Sequence, residues 1–193
     1  MKLLLYCTKA KPYLVDCRDL DIKNKFRLSK NKVCERPVLN GKIVAECDFE
    51  VEKIKKVNYD CILFTNTLDT ESLIRKSCID YFSLEKYLKP NWSKEDDLQN
   101  LDTVGYAIHI KNLHIFDNPK ELYDCLIHPK IEPKYYGFEH LRKAPQNMMY
   151  VELDDIKYIL ISIRPEWLVK ILNKEKTIEI RKKVLKEMLK WAN

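Results

Sequence analysis

The sequence predicts an α+β fold: a small mixed β-barrel of about six strands with short flanking helices. Three observations point there. The two-residue alternation of half-buried strands recurs along the chain, most cleanly at 42–52 and 177–181. Apolar residues at helical spacing fall between the strands, as Trp167/Ile171 beside Leu168/Leu172. The spacing of the strand segments is irregular, which suits a mixed barrel better than the repeating units of a doubly wound sheet.

The elements follow in order. Lys2 to Thr8 is a short apolar run and reads as a buried strand. Asn40-Gly41 signals a turn before Lys42–Glu52, where Ile43, Ala45, Cys47, Phe49 and Val51 alternate with charged residues. Thr70 to Ile79 has helical spacing at Leu73, Ile74 and Cys78, with Thr70 as the expected cap. Ser83 to Leu88 continues as a helical turn stopped by Pro90, and residues 91–103 form a polar, acid-rich loop. Gly105 to Ile110 is a strand that continues brokenly through Leu113 to Phe116. Asn118-Pro119 is expected to start a short helix through Cys125, and 128–143 is irregular around Tyr135-Tyr136-Gly137. Asn147–Leu153 and Lys157–Ile163 are strands joined tightly at Asp154-Asp155. Pro165 opens a helix through Lys174, Thr177 to Arg181 is a strand with Ile178 and Ile180 inward, and Val184 to Trp191 is an amphipathic helix.

Composition narrows the function classes. The chain has 193 residues, of which 46% are hydrophobic, enough for one well-buried domain. It has only three glycines, so a glycine-rich phosphate loop is disfavoured. Its seven cysteines are scattered without any C-x-x-C pair, which predicts reduced structural thiols and no metal centre. The apolar run at 3–7 is too short for a signal-peptide core, and no run approaches the roughly 20 residues that cross a bilayer, so a cytoplasmic chain without a membrane partner is expected. The net charge of +6 is uneven: 164–190 holds nine basic residues against four acids. Such a cluster attracts phosphate over about 8 Å at physiological salt. It equally fits a solvated lysine-rich helix face.

The stretch from Ile161 to Arg181 has an apolar strand, a proline-started helix running to Ile171-Leu172-Asn173-Lys174-Glu175-Lys176-Thr177, and a strand ending Glu179-Ile180-Arg181. It resembles the opening signature of ASCH domains, a module of the PUA-like superfamily. Lys174 stands where that signature usually has glycine. Later pieces of the family pattern resemble Tyr6-Cys7-Thr8-Lys9, Asn40-Gly41-Lys42-Ile43-Val44-Ala45-Glu46, Gly105–Ile110 and Pro145–Glu152. The resemblance therefore covers nearly the whole chain as a circular permutation in a single 1–193 domain. Residues 1–153 carry the later part of the pattern, 157–183 the relocated initial strand-helix-strand, and 184–193 a C-terminal helix. Permutation leaves core contacts intact when the cut falls in an exposed loop. It predicts that Arg181 and Leu3 lie on neighbouring strands. The rival arrangement is a swapped homodimer in place of a monomer.

The resemblance implies a cleft lined by Lys176, Thr177, Glu179 and Arg181, with Thr8 and Lys9 from the adjoining strand. Lys and Arg would meet phosphate, Glu179 would accept from an exocyclic amine, and Tyr6 or Tyr106 would stack on a base. The implied partner is RNA or a modified nucleotide, without a cofactor. The plainer reading is a surface ion pair of Glu179 with Arg181 or Lys176, worth under about 1 kcal/mol. One superfamily branch hydrolyses the amide of acetylated cytidine; its lysine would match Lys176, but its threonine nucleophile would fall on Glu179. Other members are ribonucleases, so an enzyme here would use Lys176 and Glu179 as its acid–base pair, with His109 a further candidate. A histidine on an alternating strand also fits a structural role. A third class is a protein-interaction module built on 87–101.

Overall fold

The computed structural model describes residues 1–8, 14–16, 33–35, 41–57, 62–64, 67–88, 103–127 and 139–191. The expected loop at 91–103, the cluster at 135–137 and Lys9 fall wholly or almost wholly outside them. The fold is mixed α+β. Among the described residues there are eleven strands: β1 (Lys2–Cys7), β2 (Leu14–Asp16), β3 (Val33–Glu35), β4 (Ile43–Val57), β5 (Ile62–Phe64), β6 (Thr103–Lys120), β7 (Leu126–Ile127), β8 (Glu139–His140), β9 (Met148–Leu153), β10 (Ile156–Ile163) and β11 (Ile178–Arg181). Three α-helices accompany them: α1 (Thr70–Ser77), α2 (Tyr81–Leu88) and α3 (Pro165–Leu172).

Hydrogen-bonded neighbours run in the order β11-β6-β4-β1-β10-β9-β7-β8, with β5 attached to β4 and β2 paired with β3. This corrects the expected barrel of six strands. The path has two ends and does not close. Both edges of β1 are taken, by β10 and β4, while β11 pairs with β6. Arg181 and Leu3 are therefore not on neighbouring strands, contrary to the expectation from permutation.

The chain forms two compact units, one of Met1–Asp48 with Asn112–Lys174 and the other of Phe49–Lys111 with Glu175–Asn193. In the first, β1 runs parallel to β10, Lys2 opposite Tyr158 through Cys7 opposite Ile163. Leu3 to Cys7 and Ile159 to Ile163 are buried without interruption, the pattern of strands covered on both faces. On its other edge β1 is antiparallel to β4, with a register shift between Leu5 and Tyr6. That shift places one extra residue of β4 opposite β1, and Ile43, Val44 and Ala45 are all buried there. β9 and β10 form a hairpin whose two turn residues, Asp154 and Asp155, both have positive φ (51° and 62°), as a two-residue mirror-image turn requires. Leu4, Tyr6, Ile43, Tyr158 and Leu160 lie in one core cluster. α3 starts at Pro165, with Arg164 extended before it, and buries Leu168, Val169, Ile171 and Leu172.

Three local expectations are corrected. Asn118-Pro119 does not start a helix; β6 runs on to Lys120, followed by a 3-10 turn at Leu122–Asp124. β6 neighbours β4 in the sheet, and Lys42 just before β4 pairs with Glu121 just after β6, so the extended pairing outweighs the local turn signal there. Thr70 is not the cap of α1: Asp69 accepts from the Ser72 amide at 2.6 Å. A carboxylate there also meets the positive end of the helix dipole. Residues 186–191 form a 3-10 helix rather than an α-helix, with the Met188 amide donating to Leu185 O at 3.0 Å. Met188 is fully buried while Val184, Leu185 and Leu189 are half-buried, and one anchor does not require the α-helical stripe.

In the second unit, β11 is antiparallel to the first part of β6: Ile178 faces His109, Glu179 faces Ile108, Ile180 faces Ala107 and Arg181 faces Tyr106. Ile178, Ile180 and Ala107 pack with Leu73 of α1, Leu84 and Leu88 of α2, and Ile54 of β4. α2 is capped by Asp80, whose carboxylate accepts from the Ser83 amide at 2.9 Å. Gly105 lies where α2 meets the sheet: a Cβ there would stand 2.5 Å from Leu88 Cδ2 and 3.3 Å from the Arg181 carbonyl oxygen. Gly105→Ala is therefore expected to cost about 1–3 kcal/mol through forced movement of the buried Leu88. A urea midpoint equal to that of the parent chain would show that α2 yields freely.

Candidate functional site

The site begins where α3 ends. After Asn173 the backbone turns through Lys174, whose φ is +62°, and the Lys174 amide donates to Ile171 O at 2.9 Å. Lys174 therefore takes the left-handed conformation that glycine adopts without strain, at the position where the resembled signature carries glycine.

The next residues tie the start of β11 to the C-terminal end of α1. The Thr177 amide donates to Lys76 O at 2.9 Å, and the Cys78 thiol donates to Glu175 O at 3.4 Å. Lys176 Nζ donates to Ser77 O at 2.6 Å. The last carbonyls of a helix lack intrahelical partners and carry its negative pole, so an ammonium placed there is doubly favoured. Lys176 is only 1% exposed. Burial is the largest influence on it and pulls its pKa below the ordinary 10.5, against the opposing pull of Glu179.

Glu179 completes the array. One carboxylate oxygen lies 3.4 Å from Lys176 Nζ, and the other 2.9 Å from an Arg181 terminal nitrogen. Glu179 is 8% exposed. This is not the solvent-exposed ion pair of the plainer reading, but a lysine–glutamate–arginine series held largely out of water. Alternation along paired strands sets what else shares its face. Arg181 stands directly across from Tyr106, and Glu179 across from Ile108. Ile178 and His109 share the opposite face. There His109 Nε2 lies 3.2 Å from Glu52, which also accepts from the Thr67 hydroxyl at 2.7 Å.

The sequence-predicted site residues are thus divided. Lys176, Glu179, Arg181 and Tyr106 come together, and Thr177 is adjacent with an exposed side chain. His109 points to the other face and has a carboxylate partner, in keeping with a structural role. Tyr6 and Thr8 belong to the first unit. Tyr6 is buried in that unit's core, where desolvation raises its phenol pKa, so its ring offers no open face for a base. The partners that sequence reasoning missed are Ser77, Cys78, Glu52 and Thr67. They are joined to the site across long stretches of chain, and no periodicity announces a carbonyl at a helix end.

The thiols of Cys7, Cys47 and Cys125 are free and buried, which pushes each up to about 12. Among the described residues no helix is long and apolar enough to cross a membrane. No protein-family model, no curated protein and no solved structure matches the chain.

Proposed function

We propose that this chain binds RNA, or a nucleotide with a modified base, through the face that carries Glu179, Arg181 and Tyr106. One observation carries the reading: a hydrogen-bond acceptor, a guanidinium and an aromatic ring share one face of two paired strands. Arg181 is already oriented through its bond to Glu179. A guanidinium is the side-chain group best matched to phosphate, which it can meet with two parallel hydrogen bonds. Tyr106 is half-buried, and a tyrosine ring is the kind of surface on which a base stacks. Lys182 and Lys183, next along the chain, are exposed and add positive potential.

The resemblance to ASCH domains is part of this proposal, and its support is local. It rests on the left-handed Lys174 and on the order of elements from β10 through α3 to β11. The hydrolase alternative fits the geometry less well. Lys176 is enclosed and donates to Ser77 O, so its ammonium is spent on holding α1 rather than presented to a substrate.

The reading is tested by fluorescence anisotropy with a labelled 20-nucleotide oligo(U) RNA across a salt series. Arg181→Ala is expected to weaken binding about tenfold and to reduce the salt slope by about one. Equal affinity and equal slope in the variant would sink the proposal.

A further inference from the structure

The second unit carries a further feature, which shares only Lys182 with the Arg181 face. α2 buries Leu84 and Leu88, one turn apart, against the core. Two other rows at the same spacing, Phe82 with Lys86 and Ser83 with Tyr87, are exposed, while Tyr81 and Glu85 are half-buried. Phe82 is 79% exposed and Tyr87 is 40% exposed. Lys182, just beyond β11, holds its Nζ 5.4 Å from the centre of the Tyr87 ring. The Tyr81 ring meets Phe82 edge-on, with centroids 5.9 Å apart, and so supports the Phe82 ring at its margin. Within α2 the only acid is Glu85, which is half-buried.

A single exposed phenylalanine needs no explanation. Phe82 and Tyr87 stand on the two flanks of the exposed side of α2, about 140° apart around its axis, with Lys86 between them and the Lys182 ammonium over the Tyr87 ring, which is a more specific arrangement. Stackable rings set among cations complement a strand that alternates flat bases with phosphates.

We propose that this face of α2, together with Lys182, is a stacking platform for single-stranded polynucleotide. The proposal rests on the nucleic-acid reading above and extends it, because it names the strandedness of the ligand and a contact surface separate from Arg181 and Tyr106. Phe82 receives a base, while Lys86 and Lys182 neutralise the flanking phosphates. Recognition is by stacking and charge, so it tolerates sequence. Ribose and deoxyribose strands share that chemistry, whereas a duplex hides its base faces.

The test uses the full chain with labelled oligo(U), labelled oligo(dT) and a duplex of equal length. Phe82→Ala removes an exposed ring and leaves the core intact; it is expected to weaken binding of both single strands about tenfold, with Phe82→Trp restoring it. Lys182→Gln is expected to lower the salt slope by about one. Discrimination between the two strands would assign the added recognition to the 2′-hydroxyl, with the platform common to both. If Arg181→Ala weakens binding while Phe82→Ala and Lys182→Gln do not, the platform is refuted and the function proposed above stands. If the parent chain binds none of the three probes, both are refuted. Duplex binding as tight as single-strand binding overturns the platform. So does concentration-dependent self-association that Phe82→Ala abolishes without changing RNA affinity, which would make the face a contact between copies.

Discussion

Lys176→Ala is expected to lower the unfolding free energy by about 3–5 kcal/mol, the range for breaking a buried pair by removing one partner. The substitution leaves Glu179 buried with one cation where it had two, and takes the 2.6 Å donor from the Ser77 carbonyl. Urea unfolding followed by circular dichroism measures the change; a loss below about 1 kcal/mol would show that the array contributes no more than an exposed ion pair. The pH dependence supplies a second check. Burial holds the folded pKa of Lys176 below 10.5, so the unfolded chain binds that proton more tightly. The resulting penalty is fully present below the folded pKa and fades as pH rises toward 10.5. The buried thiols act in the opposite sense, because their folded pKa values are pushed from 9.0 up to about 12, so their contribution is lost as pH rises through that window. Comparing the parent chain with Lys176→Met cancels the thiols: the gap between their stabilities should shift in favour of the parent as pH climbs toward 10.5.

Leu160→Ala is expected to cost about 2–5 kcal/mol, combining lost transfer energy with the cavity left behind. Leu160 is fully buried, paired with Leu4 of β1 on one side and Met149 of β9 on the other, and the core cluster of the first unit includes it. Thermal or urea unfolding reads the effect. A cost under about 1 kcal/mol would mean that this core closes over the gap, which tightly interlocked strands resist.

Much of the local structure was legible because it is local. The β9–β10 hairpin follows from Asp154-Asp155 between two apolar runs, α3 from Pro165 and the Leu168/Leu172 stripe, and the inward Ile178 and Ile180 from strict alternation. That the sheet stays open, and the order of its strands, were not legible. Nothing in Leu3–Cys7 says that its partners are 156–163 and 43–47 rather than 178–181. Of the site, the facing of Glu179 and Arg181 was readable from their spacing in one strand. That Lys176 turns inward to a helix end was not, since the residue type suggests solvent and only the tertiary fold supplies the Ser77 carbonyl. Tyr6 failed as a stacking residue for a related reason: its strand is covered on both faces, which leaves alternation no exposed side to use.

The parallel pairing of β1 with β10 has a consequence for the emerging chain. Cys7 leaves the ribosome long before Ile163, its partner in the register. At about 5–20 residues per second the delay is on the order of 10 s. β4 is synthesised within that interval and is available to pair with one edge of β1, whereas β10, the partner of the other edge, is not yet made. The timing of translation is therefore part of how this sheet is assembled.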